Sequence, residues 1–243
     1  MSRAGNDSTS APGDEALLAF FRTIAAHDRA TVERALDATP RLAREPIRIA
    51  ASRAEAETYF LDTIRHYIYG GDTALHIAAA ASDLQTAQLL VALHAPVRAR
   101  NRRGAEPLHY AADGNPDLVS GNPDAQRSIV DYLIAAGADP NALDSSGVAA
   151  LHRAVRTRSS SAVRALLDNG ADPTMMNKRG STPLHLAVQN TGKSDSGTSA
   201  AKEQQRQIIE LLQQRGARGT DTDAKGKTVF DAATSGWVRE LLV

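Results

Sequence analysis

The sequence contains no cysteine, which excludes disulfide scaffolds, thiolate zinc sites, iron-sulfur clusters and cysteine nucleophiles. It also lacks an excess of either charge, since 28 Lys+Arg face 28 Asp+Glu. Bulk electrostatics therefore gives no drive toward nucleic acid or an anionic membrane. No apolar run approaches the roughly 18 residues of a membrane span, and the first residues are small and polar with no signal-peptide core. A soluble, cytoplasmic protein is the expectation. No serine sits in a G-x-S-x-G elbow and no pair of carboxylates is set apart by its context, so neither nucleophilic nor acid-base catalysis has support. We expect no enzyme activity, no cofactor and no metal. Arginine outnumbers lysine 23 to 5 and alanine is abundant, a bias that suggests a GC-rich, bacterial genome.

What the sequence does contain is a period. Four segments align, Gly71-Asp72-Thr73-Ala74-Leu75-His76-Ile77-Ala78, Gly104-Ala105-Glu106-Pro107-Leu108-His109-Tyr110-Ala111, Gly147-Val148-Ala149-Ala150-Leu151-His152-Arg153-Ala154 and Gly180-Ser181-Thr182-Pro183-Leu184-His185-Leu186-Ala187, with a worn fifth copy from Gly226. Their glycines lie 33, 43, 33 and 46 residues apart, a basic period of 33 with two insertions. Each unit also carries an apolar helical run that ends on a turn residue: His94, Gly137, Gly170 or Gly216. The distance from that residue to the next repeat glycine is always 10, so both insertions fall between the two helices of a unit, at 113–124 and 191–201. Rich in Gly, Asn, Asp and Ser, they read as exposed loops.

The period, the T-P-L-H-x-A core and the Gly-Ala-Asp-Pro connectors at 137–140 and 170–173 resemble ankyrin repeats. The resemblance implies an all-α solenoid of helix-turn-helix units with β-turn fingers, and a non-enzymatic module that binds another protein. The residues agree: Thr73 and Thr182 are N-cap types, Pro183 suits the first helical position, and Gly137, Gly170 and Gly216 suit a left-handed C-terminal turn. We divide the chain into a disordered tail (1–13), a helical capping repeat with an insertion (14–70), four repeats (71–103, 104–146, 147–179, 180–225) and a worn capping repeat (226–243). Within the first cap, Asp14 to Thr39 reads as a helix pair in which Thr39 replaces the turn glycine. Phe60, Ile64, Tyr67 and Ile68 sit at helical spacing within 54–69. At the far end Phe230, Trp237, Leu241 and Leu242 are suited to close the stack.

Seven histidines invite a metal or general-base reading. Four of them, His76, His109, His152 and His185, hold one repeat position, and the resemblance implies a structural role tying neighbouring fingers together. His94 stands where other units have the turn glycine, and His tolerates the left-handed region better than most residues. Thr191-Gly192-Lys193-Ser194 mimics the tail of a P-loop but has Ala187 where the upstream glycine is needed. Asp113 to Asp124 is similar to a calcium loop but has Leu118 at its sharp turn.

Function is then expected on the surface. In a solenoid of this kind the finger tips and the exposed side of each first helix form a concave face whose residues the stack does not need. Arg98, Arg100, Arg102 and Arg103 on the first finger, Lys178 and Arg179 on the third, and Arg153 and Arg156 on a first helix form a basic stripe, with Tyr110 and Asp113 between them. Such a stripe suits an acidic segment of a partner protein, because Arg offers bidentate recognition and Tyr a rigid contact. The protein is expected to be a monomer. A regulatory or effector protein with its ligand site on the inserted loops is the alternative.

Overall fold

The computed structural model describes residues 13–48, 57–113, 122–190 and 197–242. The expected disordered tail, apart from Gly13, and most of both inserted loops lie outside the described residues. The helices come in antiparallel pairs: α1 (Asp14–Ala25) with α2 (Arg29–Ala38), α3 (Ala74–Ala80) with α4 (Leu84–Ala92), and α5 (Pro107–Ala112) with α6 (Pro123–Ala135). They continue as α7 (Ala150–Arg156) with α8 (Ser160–Asp168), α9 (Pro183–Ala187) with α10 (Ser199–Gln214), and the short α11 (Val229–Ala232) and α12 (Gly236–Glu240). First helices pack on first helices from α1 to α11, and second helices on second helices from α4 to α10.

Local chemistry sets these boundaries. Thr73, Thr182 and Thr228 are N-caps of first helices, and Pro107 and Pro183 follow the cap position, where a missing N-H costs nothing. Between the helices of a pair, His27, Ser82 and Arg158 adopt positive φ (56°, 53° and 60°). The next residue in each case, Asp28, Asp83 or Ser159, accepts a backbone N-H from the first turn of the second helix. The repeat leucines Leu75, Leu108, Leu151 and Leu184 are at most 1% exposed, each worth about 2 kcal/mol of burial.

His94 has φ 64° and is exposed, so it does occupy a left-handed site that glycine fills in later units. His94→Gly should leave stability unchanged or raise it by up to about 1 kcal/mol, as read from the thermal midpoint. The cap of α7 is a weak point of the opposite kind. Ala149 stands where Thr73 and Thr182 place a hydroxyl beside the repeat histidine, at 3.0 and 2.8 Å. Ala149→Thr should gain about 1 kcal/mol in urea unfolding.

Each finger is a tight turn built on an Asn or Asp three residues before the glycine. The side-chain oxygens of Asn101, Asp144, Asn177 and Asp223 each accept two backbone N-H groups from the turn that follows. Successive fingers are joined by backbone bonds: Arg102 N-H to Gly70 O (2.7 Å), Ser145 N-H to Arg103 O (2.8 Å), Lys178 N-H to Ser146 O (3.3 Å) and Ala224 N-H to Gly180 O (3.2 Å). Gly180, at φ +79°, shows why the repeat glycine is needed, since a Cβ there would lie 2.1 Å from that of Ala224.

The insertion before the first repeat departs from expectation. Instead of a helix it forms a 3-10 turn (Glu57–Tyr59) and a hairpin of β1 (Phe60–Leu61) and β2 (His66–Tyr67), paired Phe60 to Tyr67 and Leu61 to His66. The apolar spacing fits a helix, but the run is short and rich in aromatic and β-branched residues that favour strand. Arg65 at φ 50° turns the chain, while Leu61, Ile64 and Ile68 are buried and fix the hairpin to the repeats. Thr39 is likewise no left-handed cap: at φ -143° it leads into a 3-10 turn from Pro40. At the far end Val229, Ala233 and Val238 are buried and Trp237, Leu241 and Leu242 pack against the core, but Phe230 is 41% exposed under Arg239.

Candidate protein-binding groove

The repeat histidines are used up by the backbone. Nδ1 of His76, His109, His152 and His185 accepts the N-H of the residue three before it, at 3.1, 3.1, 3.2 and 3.4 Å. On the other side Nε2 of His76, His109 and His185 meets the carbonyls of Ala105, Val148 and Lys227 in the next finger, at 3.1, 3.0 and 3.2 Å. An imidazole so engaged is the neutral Nε2-H tautomer and has no lone pair left for a metal. Burial lowers the pKa of His76 and His152, and burial reinforced by Arg153 takes His109 down to about 4. His152 breaks the series: its buried Nε2 closes no hydrogen bond, although the Ser181 carbonyl is near enough to raise its basicity.

Between fingers and first helices runs a groove of about 630 Å³, bounded at one end by the hairpin and at the other by α9. Of the ten residues expected on the binding face, Arg103, Tyr110, Asp113, Arg153, Arg156 and Arg179 line it. Their states differ. Tyr110 is 1% exposed and is no surface contact: the His66 ring stacks on it at 4.3 Å, and its hydroxyl donates to Asp72 at 2.8 Å. Asp72, itself buried, also accepts from the Asn101 amide at 2.8 Å and the Tyr69 N-H at 2.7 Å. Burial, with the Asp72 charge behind it, raises the Tyr110 phenol well above its ordinary range. Arg153 is largely buried and bridges Asp113 (2.5 Å) and Asp144 (2.8 Å). Burial would push the Asp144 carboxyl up, but bonds from Arg153 and the Val148 and Ser146 N-H groups hold it below the usual range. Arg156, 65% exposed, adds a second contact to Asp113 at 3.2 Å.

The other four expected residues lie off the groove. Arg98 turns to Glu106 (3.5 Å) and Asp139 (3.4 Å). Arg100 donates to the carbonyls of Gly104 and Leu143, joining its own finger to the next, so it is structural rather than available. Lys178 does the same through Ser145 O at 2.5 Å. Arg102 lies over the Tyr69 ring at 5.4 Å, with Arg103 at 4.7 Å. The charged first finger therefore splits by function, and only Arg103 faces the groove.

Sequence reasoning missed the wall that the hairpin adds: Arg65, His66, Tyr67 and Tyr69 all line the groove, and Tyr67 is 41% exposed. The signal was the density of aromatics between residues 59 and 69.

A family model described as ankyrin repeats in three copies matches residues 31–121 and 122–196. The chain belongs to the ankyrin-repeat family, whose repeats are in general protein-protein interaction modules. Among curated proteins it is similar to an E3 ubiquitin-protein ligase, KEG, of Arabidopsis thaliana, with 40% identity over 87 residues. That match covers 35% of this chain and 5% of the plant protein. The expected bacterial source is not borne out, the relative being a plant protein. Among the described residues no helix is long and apolar enough to cross a membrane.

Proposed function

We propose that this protein binds a partner protein through the groove between its fingers and first helices, with Arg65, Arg103, Arg156 and Arg179 facing an acidic segment. One observation carries the reading. The groove is lined by five arginines, Arg65, Arg103, Arg153, Arg156 and Arg179, and by two carboxylates, Asp113 and Asp144, both already bound by Arg153. Arg65 and Arg179 make no ion pair with another described residue and are exposed. Set around one groove, such guanidiniums favour an anionic ligand and reject a cationic one. The exposed Tyr67 adds a rigid apolar contact at the hairpin end.

Affinity capture from the native cell tests this with the double variant R103E/R179E, whose positions are exposed and away from the core. The variant should fold with an unchanged melting profile and lose the partners retained by the wild-type chain, and wild-type capture should weaken with salt. Undiminished capture by the folded variant would refute the groove. If shortening 114–121 abolished capture instead, the site would lie on the inserted loop.

A further inference from the structure

Resting on the reading of the groove as a protein-binding site, we infer that its anionic determinant is a phosphorylated side chain of the partner, received between Arg65, Arg103, Arg156 and Arg179. Four separate elements supply these arginines to one cavity: the hairpin turn, the first finger, α7 and the third finger. Both carboxylates of the cavity are spent on Arg153, with Arg156 sharing Asp113, so charge is in excess on every side of it. A single carboxylate offers two oxygens and one charge, enough for one guanidinium fork. A phosphate monoester carries nearly two charges on three acceptor oxygens and can be shared among several forks from different walls. The remaining lining is suited to the same ligand, since Ser146 and Ser181 add hydroxyls and Tyr67 a ring for the neighbouring peptide.

This is tested on the full chain by fluorescence anisotropy with three labelled peptides of Gly and Ala that differ only at a central phosphothreonine, threonine or glutamate. The phosphopeptide should bind about tenfold more tightly than the glutamate peptide, the difference expected of one further charge-assisted hydrogen bond. R103Q/R179Q should lose that binding, as should R65Q on its own element, while the melting profile of each stays that of the wild type. R103K/R179K, which keeps charge but not the planar fork, should lose the preference for phosphate over glutamate. Equal affinity for the phosphate and glutamate peptides would overturn the inference and leave the acidic-segment reading standing. Loss of partner capture in R103E/R179E with no phosphopeptide binding by the wild type would do the same. Inorganic phosphate that binds as tightly as the phosphopeptide would also overturn it, by showing a free-anion site.

Discussion

Replacing Arg153 by methionine should destabilise the protein by about 3–5 kcal/mol, the cost of stripping the partner from buried carboxylates. The side chain is 11% exposed and bridges Asp113 and Asp144, themselves 16% and 7% exposed. Methionine keeps most of the volume, so the loss would come from charge and not from a cavity. Asp144 accepts the Ser146 and Val148 N-H groups that shape its finger, and without Arg153 its carboxylate is left with no cation beside it. Equilibrium urea unfolding measures the effect. A second substitution, Asp144→Asn, should recover part of the loss by removing the stranded charge while keeping an Oδ1 acceptor for the finger turn, whereas a loss below about 1 kcal/mol in Arg153→Met alone would place the pair among solvent-screened surface bridges.

Acidification should unfold the protein through its histidines before its carboxylates titrate. His109 in the folded chain takes a proton only near pH 4, while in the unfolded chain it does so near the ordinary imidazole value of 6.5. Between those limits the unfolded state binds the extra proton, so stability falls as pH falls. This contribution is complete above about 6.5 and gone by about 4, and for His109 alone it amounts to about 3 kcal/mol. His76 and His152 shift in the same direction. Urea midpoints measured across this range should show a slope that His109→Ala reduces, at a cost of about 1–3 kcal/mol at neutral pH for the lost buried hydrogen bonds. Zinc should not restore the variant. A flat profile would mean that the imidazole already carries its proton inside the fold.

The repeat units were legible because they are periodic: a glycine that must be left-handed and small, a leucine that must be buried and a histidine that must reach the next finger each leave the same letter at the same place. The groove was legible only where it reuses that frame, as at Arg156 and Arg179. Tyr110 was misplaced because His66 of the hairpin that covers it stands 44 residues earlier, and no spacing rule connects the two. Arg100 was misplaced for a different reason. Its charge looked superfluous to the stack, yet the neighbouring finger offers carbonyls that only a long donor can reach. The Asn or Asp that builds each of these finger turns stands three places before Gly104, Gly147, Gly180 and Gly226, and its role follows once the turn is drawn.

The two ends of the groove are held by different bonds. At the hairpin end the finger bearing Arg103 is clamped by short backbone bonds of 2.7 and 2.8 Å and by the Asp72, Tyr110 and Asn101 cluster. The finger bearing Arg179 has a longer backbone tie of 3.3 Å to its predecessor, supplemented by Lys178 Nζ on Ser145 O at 2.5 Å. On the helix side the same junction is firm, because Arg158 donates to the carbonyls of Ala187 and Gln189 at 2.8 and 2.6 Å. A joint tied along both edges holds the Arg103 and Arg179 walls at a set spacing, so the jaw width is expected to be fixed before a partner arrives and little ordering has to be done on binding.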